Sequence, residues 1–85
     1  MGLDGIELIM SVEERFNIEI SDEEASTIRT PRLLCDIVEK RLRGRVPAMS
    51  REDIRSKLRQ VICDQLGVRE DFDDDAEFVR DLGVD

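Results

Sequence analysis

Residues 50–67 read SREDIRSKLRQVICDQLG, and this stretch decides the fold class. Ile54, Leu58, Val61, Ile62 and Leu66 recur at i, i+4, i+7, i+8 and i+12. That spacing gathers all five on one side of a 3.6-residue turn. Ser50 precedes the run and can accept a hydrogen bond from an orphan amide, while Gly67 follows it and can turn left-handed without a steric penalty. A helix over residues 51–66 is therefore predicted with both ends specified, and it must bury its stripe against other elements.

Working back from Ser50, Gly44 to Met49 reads as a linker around Pro47. Before it, Thr30 followed by Pro31 opens a helix to about Arg43, since Thr caps and Pro at the first helical position needs no amide partner. Leu34, Ile37, Val38 and Leu42 supply its stripe, with Lys40, Arg41 and Arg43 at the negative end of its dipole. Ser21 with Glu24 is a capping box that opens a short turn from Glu23 to Ile28. Asp4 with Glu7 is read as another box, opening a helix over about residues 4–16. Its stripe is Ile6, Leu8, Ile9, Met10, Val12 and Phe16, and the stripe is expected in the core.

Beyond Gly67 no period persists, yet Val68, Phe72, Phe78, Val79 and Leu82 are too apolar for water, so an ordered loop pinned to the helices is expected. With no alternating strand pattern, the fold class is all-α: a four-helix bundle of three long helices and one short, in a single domain.

The chain has 85 residues, 21 acidic and 13 basic, for a net charge of −8. Residues 1–24 are net −7, residues 25–69 net +6 and residues 70–85 net −7, so the basic centre should attract both acidic ends. Nucleic acid is not an expected partner, because phosphate neutralisation needs the opposite charge. There is no His, Trp or Tyr, which removes imidazole chemistry and base stacking on these side chains. No nucleophile stands beside a base and no phosphate loop is present, so the chain is expected not to be an enzyme. Cys35 and Cys63 lie inside helical apolar patterns without a CxxC spacing and are read as small core hydrophobes. Asp71, Asp73 and Asp75 open like a calcium loop, but Ala76 and Leu82 stand where Gly and Glu are required, so no metal site is expected. No apolar run is long enough to span a membrane and no secretory leader is evident, so a cytoplasmic chain without a membrane partner is expected.

Gly2 through Ala25, GLDGIELIMSVEERFNIEISDEEA, resembles the second half of acyl carrier proteins from their modification site onward. Ile54 through Val68, continuing to Phe78-Val79-Arg80-Asp81-Leu82-Gly83-Val84-Asp85, resembles the first helix and long loop of the same family. The order is reversed, so the chain is similar to a circularly permuted acyl carrier protein. Residues 1–43 match the family's second half, 44–49 form the linker, and 50–85 match its first helix and loop. The resemblance implies an up-down-down bundle, and six linker residues can reach about 20 Å, enough to bridge one end of it.

In the family, 4′-phosphopantetheine is esterified to the Ser of an Asp-Ser-Leu motif. The resemblance puts Asp85 at the Asp and Leu3 at the Leu, with Gly2 at the Ser. Gly2 has no hydroxyl, so no cofactor is expected. Ser11, Ser21, Ser26, Ser50 and Ser56 do not follow an Asp. Glu7, Glu13 and Glu14 match the acidic face through which the family engages basic partners, and Met10 matches a position near that surface. The implied function is a non-catalytic module that docks the basic surface of an acyl-transfer or synthase-type enzyme. The alternative is a functional acyl carrier in fatty-acid or polyketide-type metabolism, modified at another Ser or completed by another chain. A monomer or a half-swapped homodimer is expected, since two chains could exchange halves with the same contacts.

Overall fold

The structure, a computed structural model, describes residues 3–84. Four helices follow one another: α1 (Leu3–Phe16), α2 (Asp22–Thr27), α3 (Pro31–Leu42) and α4 (Arg51–Leu66). Their ends obey the local chemistry. Ser21 accepts from the Glu24 amide while the Glu24 carboxylate takes the Ser21 amide, completing the capping box of α2. Thr30 caps α3 through the Leu33 amide with Pro31 in its first turn. Ser50 caps α4 through the Asp53 amide, and Gly67 at φ 68° closes it by donating to the Cys63 carbonyl. Helix α1 starts at Leu3, so Asp4 lies inside its first turn and is not its cap. Asp4 instead offers its charge to the positive end of the dipole. The stop of α1 is Asn17, a residue that tolerates its φ of 53° and lets the Ile18 amide reach back to Glu13 O at 3.0 Å, a Schellman closure.

Helix α4, though late in the chain, is the shared partner of α1 and α3. Ser11 Oγ donates to Gln65 Oε1 at 2.7 Å and Arg15 donates to Gln60 at 3.2 Å, so α1 and α4 run antiparallel. Arg51 at the start of α4 pairs with Asp36 and Glu39, whereas Ile62 near its end meets Pro31 and Cys35 across a cavity, so α3 is antiparallel to α4 as well. The core joins Leu8, Val12, Leu34, Val38, Ile54, Leu58 and Ile62, each buried, with Ile18, Ile20 and Ile28 closing it beside α2. Each such side chain contributes roughly 1.5–3 kcal/mol by leaving water.

The stripe of α1 is narrower than its sequence suggests. Leu8, Ile9, Val12 and Phe16 are buried, but Ile6 and Met10 are 51% and 60% exposed. The core expectation for those two is therefore corrected. Positions 6 and 10 share a face that turns away from α4. Cys35 is buried and Cys63 half-buried, and both are free thiols.

The loop after α4 is ordered. Phe78 and Val84 are buried, with Val68, Phe72 and Leu82 packed against the core. Val79, expected among the pins, is instead 66% exposed. Gly83 at φ 73° turns the chain so that the Val84 amide meets Phe78 O at 2.8 Å and its side chain goes inside. The radius of gyration, 11.9 Å, matches the roughly 12 Å of a folded chain this long.

Candidate functional site

The outer surface of α1 and the adjoining α2 form an apolar groove with acidic edges. Ile6, Ile9, Met10, Ile20 and Ala25 line it, with Glu13 and Asp22 among its polar residues, around a volume of about 240 Å³. Helical spacing puts Ile6, Met10 and Glu13 on one line, while the turn after Asn17 brings Ile20 and α2 alongside. Glu7 and Glu14 are exposed, and among the described residues neither enters an ion pair. Glu13 differs from them. Its Oε2 accepts from the Ile20 amide at 2.8 Å, so this carboxylate holds the α1–α2 connection as well as edging the groove. Sequence reading grouped the three glutamates, and the structure divides them into two free charges and one structural acceptor.

The basic centre of the chain is spent elsewhere. Arg41 reaches Glu24 and donates to Glu19 O, tying α3 to α2. Asp74 accepts from Arg55 Nε at 2.8 Å and from Arg59 at 2.7 Å, and Arg32 pairs with Asp75 at 2.7 Å. Burial pushes the Asp74 carboxyl up, but the Arg55 hydrogen bond and the charges of Arg55, Arg59 and Arg32 outweigh it and hold Asp74 below the usual carboxylate range. In the tail, Asp74, Asp75, Glu77 and Asp81 each pair with an arginine, as the attraction between the basic centre and the acidic end predicts for Asp74 and Asp75, whereas Glu70, Asp71 and Asp73 are exposed. Exposed carboxylates outside any ion pair among the described residues thus include ones on α1 and α2 and at the start of the loop after α4.

Gly2 and Asp85, named from the resemblance as flanking a modification site, lie outside the described residues. Leu3 is the first residue of α1. Of the serines, Ser21 and Ser50 are caps, Ser11 bonds Gln65, Ser26 Oγ donates to Glu23 O, and Ser56 is exposed on α4. Among the described residues no group of three or more His, Cys, Asp or Glu could hold a metal ion, and no helix is long and apolar enough to cross a membrane.

A helical bundle that leaves Ile6 and Met10 in water beside exposed glutamates defines a class: a small all-α module with a half-apolar, acidic face. Comparison with known proteins makes that class specific. The chain is 54% identical over 39 residues to the acyl carrier proteins of Buchnera aphidicola subsp. Acyrthosiphon pisum, strains Tuc7 and APS, covering 46% of this chain and 49% of each relative. It is 53% identical over 38 residues to that of Buchnera aphidicola subsp. Baizongia pistaciae, covering 45% and 49%. The chain thus spans about half the length of the curated relatives it matches. No protein-family model matches it, and no solved structure does. The matched part is similar to half of an acyl carrier protein, and the all-α, four-helix architecture is consistent with that likeness.

Proposed function

We propose that this chain is a non-catalytic, acyl-carrier-like docking module in permuted order, which binds the basic surface of an acyl-transfer or synthase-type enzyme through α1. The observation that carries the reading is the pair Ile6 and Met10, left half or more exposed beside the free carboxylates of Glu7 and Glu14. An apolar contact ringed by charge suits a partner whose lysines and arginines steer the encounter while one of its side chains enters the groove. A match confined to half of each relative supports the permuted order, since a linear comparison of a reordered chain can follow only one half. The packing of α4 on α1 supports it further, because the first and last helices of the chain are neighbours.

The phosphopantetheine arm does not fit the residue that stands at its family position in this chain. The position that the resemblance assigns to the attachment Ser is Gly2, and neither neighbour, Asp85 or Leu3, offers a hydroxyl.

A second reading, a working carrier modified at another Ser or completed by a second chain, draws on the 54% identity. Intact mass after incubation with a phosphopantetheinyl transferase and coenzyme A separates the two. The docking reading expects an unchanged mass, and a gain of one arm replaces it with the carrier reading. Titration against a synthase-type enzyme with a basic docking surface tests the face directly. Met10→Ala and Glu14→Lys should each weaken binding about tenfold, and equal affinity of both variants and the parent would remove the face from the account.

A further inference from the structure

We propose that a second site, formed by α3, α4 and the loop 67–84, binds a phosphate-type oxyanion, with Asp74 as its tethered occupant. The site is a cavity of about 60 Å³ that shares no residue with the α1–α2 groove. Arg32, Arg51, Arg55 and Arg59 line it, and Asp74 is the one carboxylate in its described lining. Arg32 is paired with Asp75 and Arg51 with Asp36 and Glu39, while Arg55 and Arg59 share the single carboxylate of Asp74, so the excess positive charge sits on Arg55 and Arg59, above apolar walls that include Leu58 and Ile62. A single water needs only roughly 10–15 Å³ of such space, so the cavity has room for a small polyatomic ion.

The loop sits on these arginines as a ligand would. The Asp74 carboxylate takes Arg55 and Arg59 at 2.8 and 2.7 Å, and its carbonyl takes the Arg32 amide at 2.9 Å. Arg51 does not contact this loop in any ion pair. It points its guanidinium to Asp36 at 2.7 Å and, more loosely, to Glu39 at 3.7 Å, both side chains being largely open to solvent. A guanidinium fork matches the oxygen spacing of phosphate, and a dianion brings twice the charge of the carboxylate it competes with. The net charge of −8 repels anions at long range, so occupancy is expected at roughly millimolar phosphate and should weaken as chloride is added. Displacement of Asp74 would couple the site to the loop that carries it.

The test is a nuclear magnetic resonance titration of the full chain with inorganic phosphate replacing chloride at constant ionic strength and neutral pH. Saturable shifts are expected at the amides of Arg32, Cys35 and Asp74 and at the Arg55 and Arg59 Nε–H groups. Arg51→Gln leaves every contact of the loop in place and should weaken binding about tenfold. Asp74→Asn removes the internal competitor and should tighten it several-fold; if that variant does not fold, Arg51→Gln decides. Glycerol phosphate run in parallel assigns the source, because tighter binding than inorganic phosphate indicates a phosphate monoester and equal or weaker binding the free ion. Shifts that track ionic strength alone, or that persist unchanged in Arg51→Gln, overturn the proposal.

Discussion

Helix α4 and the loop that follows it adjoin at Gly67, border the same core and are held by opposite means. The helix is fixed by a periodic apolar stripe with a cap at each end, and its carboxamides Gln60 and Gln65 tie it to α1. The loop has no period. It is fixed by two buried side chains, Phe78 and Val84, and by arginines of α3 and α4 that reach across to Asp74 and Asp75. Arg59 is the hinge of the two schemes: it lies 3.9 Å from the centre of the Phe72 ring, pairs with Asp74, and donates to the carbonyls of Glu70 and Phe72. Sequence periodicity secures one region and electrostatic complementarity the other, so the two should fail under different stresses.

The largest expected effect lies on the apolar side. Leu58→Ala, in the stripe that both α1 and α3 use, should cost about 2–5 kcal/mol and lower the melting temperature of all four helices together. Loss confined to the loop would break the view of α4 as the shared partner. Arg59→Ala should cost about 1.5–3 kcal/mol, because it removes the donor to two loop carbonyls and one of the two arginines on Asp74 at once. Hydrogen exchange should show protection lost first at residues 68–78 and retained in α1. Uniform loss would mean that the loop is not a separate layer of the structure.

Acid sharpens the contrast further. The folded-state carboxyl of Asp74 is held low, so its pairing stabilises the fold fully above the unfolded value of about 3.9, and that contribution disappears as pH falls through the lowered folded value. Thermal melts from about pH 6 to about pH 3 should therefore fall less steeply for Asp74→Asn than for the parent. Parallel curves would remove Asp74 from the acid response. Smallest of all, Val79→Asp should change stability by no more than about 0.5 kcal/mol, since that side chain is 66% exposed.

The same contrast explains what could be read in advance. The bounds of α4 follow from Ser50, five apolar positions and Gly67, all local signals, and the caps at Ser21 and Thr30 are equally local. The arginine–aspartate pairs are not local: Arg32 and Asp75 stand 43 residues apart, and composition predicts their attraction but not their identity. Asn17 as the stop of α1 was legible only to a reader weighing its tolerance of positive φ. The stripe places Ile6 and Met10 in the core because it shows which residues share a side of a helix but not how wide a partner covers it. At the candidate site the acidic residues were legible as a group. The anchoring of Glu13 to the Ile20 amide depends on a turn whose geometry no residue pattern specifies.

In this fold one chain closes on itself, with its last described helix lying antiparallel against its first. A sample mixed from isotope-labelled and unlabelled protein tests this directly, through Overhauser contacts between the methyl groups of α1 and those of α4. Contacts are expected within labelled chains and not between labelled and unlabelled ones, at the mass of a monomer. Contacts found only between chains would mean exchanged halves, and no α1–α4 contact of either kind would contradict the carrier-like bundle itself.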